Sequence, residues 1–144
     1  VADADLLLHV VDAADGKQLA TVDTESYIAG SAALAEGQVF VGNYAGRLMR
    51  IDLASGMIDW EYAPNDDGDP FFSSPAVTAD RVVIGGRDGR LHCVERETGQ
   101  PIWTFRARDD VDSSPVVCGD QVVVGSHDGR LYIVSLAAGS QLCS

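Results

Sequence analysis

The sequence repeats itself at intervals of about forty residues, and this repeat constrains the fold more than any other feature. Four glycines, Gly16, Gly56, Gly99 and Gly139, are separated by 40, 43 and 40 residues. Other positions keep the same register, with intervals of 43 and 40 residues: Gly46, Gly89 and Gly129; Ser31, Ser74 and Ser114; Val39, Val82 and Val122. The three-residue insertion behind the longer interval falls between Trp60 and Ser74. Such a period is typical of structural units that bury their apolar faces against neighbouring copies of themselves.

Each repeat is predicted to form four short β-strands. In the last repeat we expect strands over residues 113–118, 121–125, 130–136 and 140–143, separated by turns at Gly119-Asp120 and Asp128-Gly129. The Val-rich second strand does not alternate between apolar and polar residues, which indicates a sheet that is covered on both faces. No stretch shows a sustained 3.6-residue period, so almost no helix is expected. The sequence therefore predicts an all-β protein made of stacked four-stranded sheets, the blades of a β-propeller.

The repeats resemble those of propellers of the PQQ-dehydrogenase type, whose blade motif is approximately A-x-D-x-x-T-G-x-x-x-W. Residues 50–60 read R-x-D-x-x-S-G-x-x-x-W and residues 93–103 read C-x-E-x-x-T-G-x-x-x-W, whereas the outer repeats end in Ala20 and Cys143. A WD-type propeller fits less well, because no Gly-His pair opens the repeats and the tryptophan follows a glycine. In the family the tryptophan docks between adjacent blades and stacks near the glycine. The resemblance therefore implies that the blades are joined through Trp60, Trp103, Gly56 and Gly99.

The predicted blades do not complete a ring. We expect a half blade with only the third and fourth strands at residues 1–24, followed by full blades at 25–64, 70–106 and 110–144. A closed propeller needs about four to eight blades. Two explanations are open: the chain is part of a longer propeller, or several chains share one ring. Because an uncovered blade exposes an apolar face and an unpaired edge, we expect that the isolated chain is not a stable monomer.

The predicted binding surface is one rim of the propeller, where the loops from the second to the third strand meet the loops between blades. Equivalent positions in three repeats hold Tyr44, Arg87 and His127. Binding residues often lie where repeats diverge on one face, so these three are candidate ligand contacts; ordinary surface variation is the alternative. The serines of the first strands, such as Ser74 and Ser114, are predicted to lie near the central channel in a structural role, with a polar channel that binds a small ligand or water as the alternative.

The charged and sulfur-containing residues point to no catalytic or metal site. The formal net charge of −12 opposes binding to nucleic acid and to anionic membranes. Asp66, Asp67 and Asp69 could offer oxygen ligands to Ca²⁺, but the roughly twelve-residue loop with its terminal Glu is missing, so a solvated loop is predicted. The three cysteines form no C-x-x-C pair, which leaves both three thiols and one disulfide with one thiol open: Cys93, Cys118 and Cys143.

The function predicted from these features is that of a non-enzymatic scaffold that presents a loop rim to a protein or a small ligand. The resemblance implies an extracytoplasmic setting, periplasmic or secreted, because family members without cofactor include outer-membrane assembly lipoproteins. The partner is then a protein or the remaining blades of the same propeller, with self-association as a further option. Two alternatives are open: a fragment of a PQQ-dependent dehydrogenase, and a structural or sensory module of a larger protein. We predict neither PQQ nor Ca²⁺ as a cofactor, since the sequence lacks the adjacent cysteine pair of those dehydrogenases.

Overall fold

A computed structural model describes residues 6–64 and 68–144 of the chain, and these residues form four antiparallel sheets. The first sheet, blade I, is a hairpin of two strands, Leu7–Val11 (β1) and Gln18–Asp23 (β2). Blade II contains four strands: Ala33–Ala35 (β3), Gln38–Gly42 (β4), Leu48–Asp52 (β5) and Met57–Tyr62 (β6). None of these residues lies in a helix that is long and apolar enough to cross a membrane.

Blades III and IV repeat the plan of blade II. Blade III contains Ala76–Val77 (β7), Arg81–Gly85 (β8), Arg90–Glu95 (β9) and Pro101–Arg106 (β10). Blade IV contains Val116–Cys118 (β11), Gln121–Gly125 (β12), Leu131–Ser135 (β13) and Gln141–Cys143 (β14). In each four-stranded sheet the strands pair in chain order, as a meander. The predicted fold class, with three four-stranded blades and one half blade in an open arc, is confirmed.

The first strand of blade IV is shorter than the sequence predicts. Strand pairing starts at Val116 rather than at Ser113, because Pro115 has no N–H to donate to the ladder. The hydroxyl of Ser113 instead accepts a hydrogen bond of 3.2 Å from the amide of Gly125. Blade III does the same with a buried serine, since the Ser73 hydroxyl accepts from the amide of Gly85 at 2.8 Å. Serine side chains thus replace backbone pairing where the first strands approach the axis.

The apolar core lies between the blades rather than inside any one of them. Three clusters of buried side chains fill the three junctions between successive sheets, for example Phe40 and Leu48 of blade II against Val82 and Ile84 of blade III. Each full blade therefore needs a neighbour on both sides. No sheet within residues 6–64 and 68–144 covers the far face of blade IV, and Leu131 on that face is 60% exposed.

Tryptophan rings join blade II to blade III and blade III to blade IV. A Cβ atom added to Gly99 would stand 2.6 Å from two ring carbons of Trp60, and one added to Gly139 would stand equally close to Trp103. The indole N–H groups of Trp60 and Trp103 donate hydrogen bonds of 3.0 and 2.8 Å to backbone carbonyls of the following blade, at Arg96 and Leu136 respectively.

The junction between blades I and II has no such ring. A Cβ atom added to Gly56 would have no atom within 4 Å, because Ala20 stands where the inner repeats have tryptophan. No tryptophan ring therefore packs against Gly56, although the family motif places this residue among the docking glycines. The two glycines that tryptophan rings do cover are Gly99 and Gly139. Leu8 and Val22 close the first junction by apolar packing against blade II.

Candidate functional site

The three candidate rim residues lie on one edge of the blades, where two kinds of loop meet. The amide of Tyr44 donates a 2.7 Å hydrogen bond to the carbonyl of Tyr27, in the loop that leads into the same blade. The amides of Arg87 and His127 make the equivalent bonds, to Pro70 at 3.0 Å and to Asp110 at 2.9 Å. The same backbone contact in three blades ties the loop before the first strand to the loop after the second strand, and together these loops form the rim.

A buried asparagine holds the loop that carries Tyr44. The Asn43 side-chain oxygen accepts hydrogen bonds from the amides of Ala45 and Arg47, at 3.1 and 2.9 Å, and its side-chain amide donates to the carbonyl of Thr24 at 3.0 Å. Asn43 is completely buried, so these bonds satisfy polar atoms that water cannot reach. The backbone at Tyr44 is therefore fixed while its side chain stays on the surface.

Aromatic side chains connect the rims of blades II and III. The ring centroids of Tyr27 and Tyr44 are 6.5 Å apart in an edge-to-face arrangement, and those of Tyr44 and Phe72 are 5.2 Å apart. The guanidinium carbon of Arg87 lies 3.8 Å from the centroid of Phe72, a distance at which cation–π attraction operates. Half of each tyrosine is exposed, 53% for Tyr27 and 47% for Tyr44, so the row presents apolar surface to solvent.

The row continues from blade III to blade IV through charged groups. Arg87 donates two parallel hydrogen bonds to the carboxylate of Asp112, from Nε at 3.1 Å and from one terminal nitrogen at 2.9 Å. His127 Nε2 lies 3.3 Å from the same carboxylate. The hydrogen bonds to Asp112 raise the pKa of Arg87 above its ordinary value, so the guanidinium stays charged and held in one orientation.

The structure therefore joins Tyr44, Arg87 and His127 into one continuous feature, which we call the rim ridge: Tyr27, Tyr44, Phe72, Arg87, Asp112 and His127. The sequence comparison missed Tyr27, Phe72 and Asp112, which lie in the loops between blades. The comparison considered only the loops from the second to the third strand, and Phe72 and Asp112, although 40 residues apart in the same register, differ in residue type. The available signal was the position of Phe72 and Asp112 just before the repeated Ser-Ser-Pro.

A second polar group lies buried between blades II and III. The hydroxyl of Tyr62 is 3.1 Å from Nδ1 of His92, and Nε2 of His92 is 3.1 Å from the carboxylate of Asp88. An ionised carboxylate only accepts, so Nε2 of His92 donates to it. Burial raises the pKa of Tyr62, with the charge of Asp88 adding to the effect. Burial by itself would raise the pKa of Asp88 as well, but the hydrogen bond and the charge of His92 lower it overall.

This Tyr–His–Asp group has a structural counterpart in the next blade. The Tyr132 hydroxyl donates a hydrogen bond to Asp128, and these two residues occupy the register positions of His92 and Asp88. Phe105, at the register position of Tyr62, packs against Tyr132 with ring centroids 5.3 Å apart. Both junctions thus place a strand-four aromatic ring against a strand-three ring that is fixed by a loop aspartate, an arrangement that aligns blades.

The acidic loop and the cysteines form no site among the described residues. Asp66 and Asp67 lie outside the described residues, and Asp69 is within them; no group of three His, Cys, Asp or Glu side chains in residues 6–64 and 68–144 could hold a metal ion. Cys93 is buried and Cys118 and Cys143 are exposed, and all three are free thiols. Burial raises the pKa of the Cys93 thiol to about 11, so this thiol is unreactive at neutral pH.

Two proteins similar to this chain are an outer membrane protein assembly factor and an alcohol dehydrogenase. Over 107 residues the chain is 25% identical to the outer membrane protein assembly factor BamB of Nitrosomonas eutropha. This aligned region covers 74% of this chain and 25% of that protein. Over 93 residues it is 33% identical to the 1-butanol dehydrogenase (cytochrome c) of Thauera butanivorans, covering 55% of this chain and 14% of that protein.

A solved structure shows the same fold over nearly the whole chain. The crystal structure of BamB from Moraxella catarrhalis matches 99% of this chain with a TM-score of 0.85 and 27% sequence identity, and the match covers 47% of that protein. The chain thus spans a quarter of the BamB sequence from Nitrosomonas eutropha and about half of the solved one. The family model described as outer membrane protein assembly factor BamB matches residues 2–143, and the chain belongs to this family of PQQ-like β-propeller repeats.

Proposed function

We propose that the chain is a non-enzymatic binding propeller that presents the rim ridge to a protein partner outside the cytoplasm. The observation that carries this proposal is the continuity of the ridge. Exposed aromatic rings, a stacked arginine and its carboxylate partner run across three blades without interruption. The description of the family as an outer membrane protein assembly factor supports both the protein partner and the location.

The composition of the ridge suits protein recognition better than catalysis. Tyrosine and arginine are enriched among the residues that dominate the binding energy of protein interfaces. Phe72 and Asp112 already hold Arg87, so little side-chain entropy is lost when a partner binds. Both oxygens of Asp112 accept hydrogen bonds from Arg87, and His127 also contacts this carboxylate, so Asp112 is not available as a general base.

Site-specific cross-linking in cells that produce the chain tests this proposal. A photoreactive amino acid at Tyr44 is expected to trap one partner protein, whereas the same amino acid at the exposed Ala54, on a turn at the opposite rim, is expected to trap none. Equal adducts at both positions, or no protein adduct at Tyr44, would show that the ridge is not the binding surface.

A substitution at the centre of the ridge provides a second measurement. We expect Arg87→Ala to weaken binding of the trapped partner by about 30-fold, the effect of a dominant interface residue. Arg47→Ala is the matched control: Arg47 is also a rim arginine, but it pairs with Glu25 and Glu61 rather than with the ridge. Equal weakening by both substitutions would point to general electrostatics instead of ridge recognition.

A quinone-dependent dehydrogenase is the second candidate, and the similarity to the butanol dehydrogenase favours it. Within residues 6–64 and 68–144, no three His, Cys, Asp or Glu side chains come together in a way that could hold a metal ion, and this gives the candidate no support from the structure. Calorimetric titration with PQQ in the presence of Ca²⁺ tests the candidate. A micromolar, Ca²⁺-dependent response would establish it in place of the scaffold function, and the absence of heat would exclude it for this chain.

A further inference from the structure

The guanidinium of Arg87, at the centre of the rim ridge, has hydrogen-bond donors that its own chain does not use. Nε and one terminal nitrogen donate to Asp112, at 3.1 and 2.9 Å. Within residues 6–64 and 68–144, no acceptor lies within hydrogen-bonding distance of the other terminal nitrogen. That nitrogen is accessible to solvent, and the side chain as a whole is 36% exposed. A guanidinium carries five N–H groups, so Asp112 uses only some of them.

A protein that covers the rim ridge has to supply acceptors for these donors. A charged donor that loses water without gaining an acceptor destabilises a complex strongly. The Phe72 ring lies against one face of the guanidinium, with its centroid 3.8 Å from the guanidinium carbon. Asp112 occupies one edge of the group. An acceptor of the partner therefore approaches the remaining edge, in the plane in which the unused N–H groups point.

The charges around Arg87 favour an acceptor without charge. The carboxylates of Asp112 and Asp110 lie 2.9 and 4.0 Å from nitrogen atoms of Arg87, so two negative groups already face one positive group. A carboxylate of the partner would be repelled by both at short range, and by a chain with a net charge of −12. A lysine or arginine of the partner has no acceptor atom to offer. Neutral carbonyl oxygens meet both conditions, and every residue of a partner carries one on its main chain.

The tyrosines of the ridge add a place for apolar side chains beside these donors. Tyr27 and Tyr44 are each about half exposed, and their ring centroids are 6.5 Å apart. Side chains on one side of an extended segment recur every two residues, at roughly 6.6 Å. Side chains on one face of a helix have a similar spacing, but helical carbonyl groups already accept hydrogen bonds within the helix except in the last turn. Free carbonyl groups next to regularly spaced side chains are thus a property of an extended segment.

We propose that the rim ridge recognises an extended, uncharged segment of its partner protein. The segment packs apolar side chains against Tyr27 and Tyr44 and accepts hydrogen bonds from Arg87 through main-chain carbonyl groups. Phe72 and Asp112 hold the guanidinium in place before the segment arrives. This inference rests on the proposed function, to which it adds the kind of segment that binds.

Selection of random peptides on the full chain tests the chemistry of the segment. A chain with both Tyr44→Ala and Arg87→Ala, checked for folding by circular dichroism, removes peptides that bind elsewhere. We expect the ridge-dependent peptides to carry apolar side chains two residues apart and to show no enrichment of charged residues. Enrichment of acidic or basic residues, or of the three- and four-residue spacing of a helix, would overturn the inference and leave the ridge as a binding surface. A complete lack of ridge-dependent peptides would count against both the inference and the proposed function.

A selected peptide in which single backbone amides are replaced by esters tests the carbonyl contact itself, because an ester carbonyl is the weaker acceptor. At one position the ester is expected to weaken binding to the unsubstituted chain about fivefold, as one hydrogen bond to a charged donor is weakened. For the Arg87→Lys variant the same ester should matter less than about twofold, since lysine lacks the planar set of N–H groups. The comparison forms a double-mutant cycle between the ester and Arg87.

The matched control for this cycle is Arg47→Lys, because Arg47 is a rim arginine that pairs with Glu25 and Glu61. This variant should respond to the ester as the unsubstituted chain does. Affinity of the selected peptide should also change less than about twofold between low and physiological ionic strength, since no new ion pair forms. Equal ester effects on the unsubstituted and Arg87→Lys chains at every position, or a steep loss of affinity with salt, would contradict the carbonyl contact.

Discussion

Trp60 of blade II covers Gly99 of blade III so closely that no side chain fits between them. The Cδ2 and Cε3 atoms of the ring both lie 2.6 Å from the position that a Cβ atom on Gly99 would take. The backbone of Gly99 also has a φ of +72°, a conformation in which other residues are strained. The glycine therefore satisfies two requirements at once, one of backbone conformation and one of space.

The pair of substitutions Gly99→Ala and Gly56→Ala separates these two requirements. Gly56 has nearly the same φ, +69°, but nothing lies within 4 Å of its added Cβ. We expect Gly56→Ala to destabilise the chain by about 1–2 kcal/mol from backbone strain alone. Gly99→Ala should cost about 1–3 kcal/mol more, because the indole must move. Urea unfolding measures both, and equal losses would show that the ring contact contributes nothing.

The acid sensitivity of the junction between blades II and III is predicted from Asp88. Its pKa is lower in the folded chain than in the unfolded chain, mainly because His92 offsets the effect of burial. The unfolded state therefore binds the proton more readily, and the stabilisation by Asp88 is complete above its unfolded pKa and lost as the pH falls through the folded value. We expect Asp88→Asn to lower the unfolding free energy at pH 7 and to flatten its decrease below about pH 4. A variant that keeps the full acid-induced decrease would rule out this role.

The three cysteines are predicted to differ in reactivity. At pH 8 a thiol reagent should modify Cys118 and Cys143 in the native chain and leave Cys93 intact, since Cys93 is buried and its pKa is raised to about 11. All three should react after denaturation. Mass spectrometry of the alkylated chain measures the difference, and a chain with serine at both exposed positions is the control. Rapid native labelling of Cys93 would mean that blades III and IV separate readily.

The uncovered face of blade IV is predicted to drive association of the isolated chain. Leu131 is 60% exposed there, whereas Leu91, its register equivalent in blade III, is fully buried under blade IV. Leu131→Lys is expected to reduce association in sedimentation experiments and to change stability by less than about 0.5 kcal/mol. Leu91→Lys should unfold the chain, because it places an unpaired charge in the core. If the unsubstituted chain sediments as a stable monomer of 15.2 kDa, the face does not cause association.

The sequence was sufficient to predict the blades because their determinants are local and repeated. The turn glycines recur at 40 or 43 residues, and the valine-rich strands such as Gln121–Gly125 follow from β-branched composition between turn signals. The rim ridge was only half predictable. Tyr44, Arg87 and His127 could be found because the repeats align, but their connection through Phe72 and Asp112 depends on side-chain directions in loops of unequal length.

The pairing of Arg90 with Arg106, at the ends of two antiparallel strands of blade III, shows a different limit of prediction from the sequence. Both residues are visible in the sequence, but their opposition depends on the strand register, which includes an irregularity between Pro101 and Trp103. A shift of one residue would have sent the two side chains to opposite faces. Likewise, the role of Gly139 as the partner of Trp103 depends on which blade follows, whereas the resemblance to the family motif had placed Gly56 among the docking glycines.

Near the central axis, a serine hydroxyl joins blade II to blade III, and another joins blade III to blade IV. The amide of Ser31 donates to the Ser74 hydroxyl at 2.8 Å, and the amide of Ser74 donates to the Ser114 hydroxyl at 2.9 Å. Each of these bonds joins only two adjacent blades, so it does not depend on the number of blades around the axis. Duplication or loss of a whole repeat would leave all remaining bonds of this kind intact. A gene built in this way can change the size of its ring in steps of one repeat without redesigning any of its parts.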